Sequence, residues 1–222
     1  MELLAVRTAR FIGAISTEEL NPRGLAIYQS LVDGLVDKYS FSIPPDEDEP
    51  YDENKGIVFE DGLWNGFAID KLTILPDGII IDTRSSTTDS ETIFNEAIQW
   101  ASESLGLTYK PEMVSRKVYV SELVIRSEVG FNSLNPSLQS FTEKLSKTVN
   151  FFAQSMPGYE LSGVIFNCDT SEIKPSIAPF KVERLVNASY SENKYYAVAP
   201  LPTEEHLQLL EEFEAILSKS SG

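Results

Sequence analysis

The 222-residue chain holds a single cysteine, Cys168, and a single histidine, His206. One cysteine excludes an internal disulfide and a thiolate metal cage, and one histidine excludes a poly-histidine site, so no bound metal is expected. Glycine-rich phosphate loops are missing, since neither Gly-x-Gly-x-x-Gly nor Gly-x-x-x-x-Gly-Lys occurs, and Gly-x-Ser-x-Gly is missing as well. No cofactor is therefore expected, and the balance is against an enzyme. Positive charge is scarce. Eighteen Lys plus Arg face 34 Asp plus Glu, a net charge of −16, which is the wrong sign for direct binding to nucleic acid or to an anionic membrane. No uncharged apolar run approaches the roughly 18 residues needed to span a bilayer. At the N-terminus Glu2 stands where a signal peptide carries Lys or Arg, and Arg7 and Arg10 interrupt the apolar run. A soluble, cytoplasmic protein is expected, in keeping with one free thiol.

The chain does have enough apolar residues, 42 %, to build a core. Four amphipathic helices are expected. The first follows Asn21-Pro22, a cap residue with proline at the first helical position, and carries Leu25, Tyr28, Leu31/Val32, Leu35/Val36 and Tyr39. The second carries Phe94, Ala97/Ile98, Ala101 and Leu105, opens on a Thr88/Glu91 capping box and closes at Gly106. The third opens at Asn135-Pro136 and buries Leu138, Phe141, Leu145, Val149 and Phe152. The fourth opens at Thr203 and turns Leu207, Leu210, Phe213 and Ile216/Leu217 inward. Between them the period falls to two, which places strands near Leu3–Ile12, Ile57–Glu60, Phe67–Leu75, Ile79–Thr83, Lys117–Arg126, Leu161–Asn167, Ile177–Val186 and Lys194–Val198. Pro76-Asp77-Gly78 reads as a hairpin turn in which Gly78 takes a positive φ. Six acids and three prolines between Pro44 and Asn54 exclude a packed element there.

Leu20-Asn21-Pro22 recurs as Leu134-Asn135-Pro136, 114 residues later. With a shift of 113, Leu25, Tyr28, Val32, Val36 and Tyr39 fall on Leu138, Phe141, Leu145, Val149 and Phe152, the whole stripe of the later helix. These matches predict an internally duplicated α+β protein. Its halves, 1–108 and 115–219, each run strand, helix, strands, helix, and they pack together with mainly antiparallel sheet under four helices. This order is similar in outline to the saddle of the TATA-binding protein family, an analogy of topology without that family's motifs. The net charge excludes the corresponding grip on a duplex.

Three places invite a functional reading. Arg84, Ser85, Ser86 and Thr87 link a strand end to a helix start, where hydroxyls, free N–H groups and a guanidinium suit a small anion; the same residue types also cap helices. Asp46, Glu47, Asp48 and Glu49 form a solvated acidic loop. It fails the calcium-loop spacing, with Tyr51 in place of the required glycine, and suits docking of a basic partner. Trp64, bounded by Gly62 and Gly66, suits a protein contact. His206, in the first turn of the last helix, is expected to be a neutral surface or capping residue. Cys168, with Asp169 and Glu172 nearby, is expected to be an inert, at least half-buried filler. The expected function is a non-catalytic acidic protein that docks onto a basic protein partner as a subunit or regulator, with self-association open. The alternatives are a nucleic-acid-mimicking inhibitor of the anti-defence or antitoxin type, and an enzyme or binder of a small anion at Arg84–Thr87 and Thr88. Mimicry requires acids regularly spaced on one face, whereas these are spread over both halves.

Overall fold

The computed structural model describes residues 1–24, 26–46, 52–134, 136–153, 158–169 and 177–220; of the residues named above, Leu25, those at 47–51, Asn135 and Glu172 lie outside this set. The chain is α+β. Its strands are β1 (Glu2–Ala14), β2 (Ile57–Trp64), β3 (Phe67–Leu75), β4 (Gly78–Thr83), β5 (Arg116–Arg126), β6 (Gly163–Phe166), β7 (Phe180–Arg184) and β8 (Lys194–Ala199). Its helices are α1 (Thr17–Leu20), α2 (Tyr28–Tyr39), α3 (Thr87–Leu105), α4 (Pro136–Ala153) and α5 (Thr203–Ser220). Each expected strand is present, most within a residue or two of its expected ends. Two compact units divide the chain: Val6–Ser121 with Pro200–Thr203, the first unit, and Met1–Ala5, Glu122–Ala199 and Glu204–Gly222, the second.

In the first unit the strands follow the order β2-β3-β4-β1, all antiparallel. Residues facing one another across these strands explain the core. Phe59 pairs with Leu72, Leu72 with Ile81 and Ile81 with Phe11, a lateral row of which no member is more than 1 % exposed. Each such side chain contributes roughly 1.5–3 kcal/mol by leaving water. The next row ends at Gly13 instead of a side chain, and there the Phe94 ring of α3 enters: a Cβ on Gly13 would stand 2.5 Å from it. Beside it Ser90 Oγ donates to Ala9 O at 2.7 Å, so small residues let α3 lie close on the sheet. On the other side of β2, Ile43 and Glu60 exchange backbone hydrogen bonds of 3.2 and 2.9 Å, which cover the sheet edge and bring Pro44-Pro45-Asp46 alongside it.

Several expectations of detail are corrected here. Asn21-Pro22 does not open the long helix; Asn21 ends α1, and α2 begins at Tyr28. The reason is local: Gly24 sits at φ +61°, which breaks a helical run, and the Asn21 side chain both donates to Ala26 O and accepts from Ala26 N. The cap of α3 is Ser86 rather than Thr88, with Ser86 Oγ accepting from Asp89 N at 3.0 Å. Glu91 instead accepts from Lys117 Nζ and Tyr119 OH, at 2.6 and 2.9 Å. Gly106 closes α3 at φ +71°, as expected. The hairpin turns at Pro76-Asp77, yet Gly78 has no positive φ; it is glycine because a Cβ would approach Gly13 O to 3.1 Å. Strand β2 continues past Glu60 to Trp64, with Asp61 at φ +54° accommodated as an irregularity.

In the second unit β8, β7 and β6 are consecutive antiparallel neighbours. Phe131 stacks on Tyr195 with centroids 4.2 Å apart and meets Phe213 edge-on at 5.6 Å. The guanidinium of Arg184 lies over the rings of both Tyr190 and Tyr195. Leu210 and Leu217 of α5 are buried, and the Met1 amine pairs with Glu214. Ile216 is exposed because the inward edge of α5 passes through Leu217. The stripe expected to be buried on α4 is covered only in part: Leu145 and Val149 are half-buried, whereas Leu138, Phe141 and Phe152 are 41 %, 60 % and 78 % exposed. His206 is fully buried rather than at the surface, and Cys168 is exposed rather than packed. The strand carrying the apolar run ends at Phe166, two residues short of Cys168. No helix among the described residues is long and apolar enough to cross a membrane.

Candidate functional site

A cavity of about 740 Å³ opens in the first unit. Leu72, Ile74 and Ile79 supply its sheet side, Leu31 and Leu35 of α2 and Ala97, Ile98 and Ala101 of α3 its helical side. Its apolar walls follow from periodicity. On α2 the residues three and four apart form a stripe wider than the sheet beneath it covers, so Val32, Leu35 and Tyr39 are buried while Leu31 stays half-buried and lines the cavity. The small Ala97 and Ala101 keep α3 from filling the space. Close-packed interiors hold few voids larger than a water molecule, and a space of this size lies in the range of ligand pockets.

Polar groups lining the cavity include Thr17, Asn21, Asp46, Asp52, Lys55 and Glu60. Hydrogen bonds from the Asn54 backbone and side chain hold the Asp52 carboxyl below its usual range. Glu60 pairs with Lys71 at 2.9 Å. The charge of the chain is unevenly placed along the sequence. Residues 1–109 contain 20 acids and seven bases, whereas 110–199 contain nine acids and ten bases. The excess of acid therefore belongs to the stretch that builds the cavity.

No family model matches the chain, and no curated protein is similar to it.

Of the residues singled out from sequence, Asp46 lines the cavity, and Trp64, Arg84, Ser85, Ser86 and Thr87 do not. Glu47, Asp48 and Glu49 fall outside the described residues. Trp64 is half-buried at the end of β2, where its Nε1 donates to Glu96 on α3 at 2.8 Å and its ring lies 6.2 Å from Phe67. Arg84 is exposed and donates from Nε to Asp70 at 2.9 Å, which raises its pKa further. The hydroxyls after it are engaged with protein atoms: Ser85 Oγ donates to Thr83 Oγ1, Ser86 Oγ donates to Asp89, and Thr87 is fully buried. Thr87 N donates to Thr203 Oγ1 at 3.0 Å, and Thr203 N donates to Thr87 Oγ1 at 2.9 Å. Each threonine satisfies the other's backbone at the first residue of its helix. What sequence reasoning missed is the cavity, whose walls come from segments between Thr17 and Leu107 that no motif links.

Proposed function

We propose that the protein is a non-catalytic binding module that docks a basic protein partner on its first unit, with an apolar side chain of that partner seated in the cavity. One observation carries the reading: an aliphatic cavity lined in part by Asp46, Asp52 and Glu60 lies within the acid-rich stretch of the chain. Cations flanking an apolar anchor complement both features at once, and charge of this sign steers such a partner while repelling polyanions. The pairing of Arg84 with Asp70, and of Ser86 and Thr87 with their neighbours, leaves the small-anion reading without support from the geometry.

We also infer that 1–108 and 115–219 descend from one ancestral unit. Each runs strand, short helical turn, long helix, three strands and long helix. In the strand order each half sets its opening strand beside its last, β2-β3-β4-β1 in one and β6-β7-β8-β5 in the other. The reciprocal Thr87/Thr203 bonds join the first residues of the two closing helices. On this reading the copies diverged in charge: 1–108 holds 20 acids to seven bases and is hollow, whereas 115–219 holds 13 acids to ten bases.

The docking reading is tested by calorimetric titration with a synthetic Lys/Leu peptide and a Lys/Ser peptide of equal charge. The Lys/Leu peptide is expected to bind about tenfold more tightly, to weaken as salt rises, and to weaken again in the Leu31→Trp and Asp46→Asn/Asp52→Asn variants. Equal binding of both peptides, or none at low salt, overturns the proposal.

A further inference from the structure

The cavity of the first unit exceeds what one anchor can fill. Its volume is about 740 Å³, whereas an apolar hollow of about 150 Å³ already holds a benzene ring. A single side chain therefore leaves most of the space empty, and two or three are needed. Apolar surface also continues out to the rim. Ile27 and Tyr28 at the start of α2, and Ile43 beside β2, line the cavity while remaining 66 %, 44 % and 49 % exposed. Asp46, Asp52 and Glu60 line the same space.

The backbone around this cleft restricts the conformation of what enters it. Ile43 and Glu60 exchange hydrogen bonds with each other, of 3.2 and 2.9 Å. Lys55 N and Gly56 N both donate to Asp52 O, at 3.1 and 2.8 Å, and Leu31 N donates to Ile27 O at 3.1 Å. Ala26 N and O are bonded to the Asn21 side chain. Pro44 and Pro45, which follow Ile43 in the chain, have no N–H to offer. An extended segment laid here meets apolar side chains and backbone that is already engaged, so its own N–H and C=O groups are stranded at a cost in free energy. A helix avoids that cost, because its N–H and C=O groups bond within the segment.

We propose that the cleft takes an amphipathic helix of the partner, with apolar side chains at i, i+3 or i+4 and i+7 in the hollow and Lys or Arg beside them. The proposal rests on the docking reading above and names the form of its partner. Spacings of three and four put the anchors on one face within about 10 Å along the axis, so one helix delivers several of them to a single cleft. Basic side chains flanking the anchors complement Asp46, Asp52 and Glu60.

The test compares synthetic Lys/Leu/Ala peptides of one length by calorimetric titration and by circular dichroism of the complex. The first carries Leu at helical spacing, the second has the same composition with Leu and Lys alternating, and the third is the first with proline in place of two central alanines. The first is expected to bind about tenfold more tightly than either of the others, with a gain in helical signal beyond the sum of the free components. Ile27→Ser/Ile43→Ser is expected to weaken it about tenfold. Phe67→Ser, which removes an exposed ring of β3 outside the cleft, is expected to leave it unchanged. Equal or tighter binding of the alternating or the proline peptide overturns the helical form. So does a complex without gain in helix, or a rim variant that binds the first peptide as the wild type does. Each of these leaves the docking reading standing, since a Leu-bearing basic peptide is still bound. Failure of all three peptides to bind at low salt overturns the docking reading and this proposal with it.

Discussion

The only histidine of the chain makes one consequence of burial directly measurable. His206 has no exposed surface, its ring lies 5.7 Å from that of Phe180, and burial pushes its pKa down to about 4. The unfolded chain holds the same imidazole near its ordinary value of about 6.5. Above that value neither state binds the proton and His206 adds no pH dependence. As pH falls below about 6.5 the unfolded state takes up the proton and the folded state does not, so stability is lost, until the folded pKa is reached. At 1.36 kcal/mol per unit the full loss is about 3 kcal/mol, and between pH 7.5 and 4.5 it is about 2.5 kcal/mol. Urea unfolding of the wild type and of His206→Gln at both pH values isolates this share, because the carboxylates titrate alike in both proteins. The wild type is expected to lose about 2.5 kcal/mol more than the variant over that interval. Proton NMR of the single imidazole gives the folded pKa without assignment. A ring that titrates near 6.5, or a variant with the same pH dependence as the wild type, refutes the argument.

Two further outcomes follow from close contacts. Thr87→Val and Thr203→Val each leave a different buried backbone N–H without its partner and are expected to cost about 1–3 kcal/mol; the double variant leaves both N–H groups unpaired and is expected to cost close to their sum in a denaturation cycle, less only the Oγ1–Oγ1 contact of 3.3 Å that both substitutions remove. Gly34→Ala places a Cβ 2.3 Å from the Trp100 ring and is expected to cost about 1–2 kcal/mol despite the better helix propensity of alanine, with a shift in tryptophan emission that reports the displaced ring.

The strands were legible because a period of two and the turn residues between runs are local properties. Phe67–Leu75 is found at its expected bounds, and the turn at Pro76-Asp77 separates it from β4. Helix starts were less so, because a cap is chosen by competition among neighbours. Ser86 displaces Thr88 once its hydroxyl reaches Asp89 N, and Gly24 at positive φ defers the helix expected after Pro22 to Tyr28. The acidic character of the candidate site was plain in the run Asp46 to Glu53. The cavity was not, since it forms where Ala97 and Ala101, small for reasons of helix approach, face Leu72 and Ile74 from a distant strand.

The two long helices α2 and α4 show why apolar periodicity alone underdetermines function. Their stripes align residue for residue, and the same rule assigned both to a core. On α2 the closing residue Tyr39 meets α3, and burial pushes its phenol pKa up. On α4 the aligned Phe152 is 78 % exposed, and the neighbouring ring of Phe151 meets it edge-on at 5.0 Å. A stripe records that a surface must be covered, and what covers it is set by whatever else packs there.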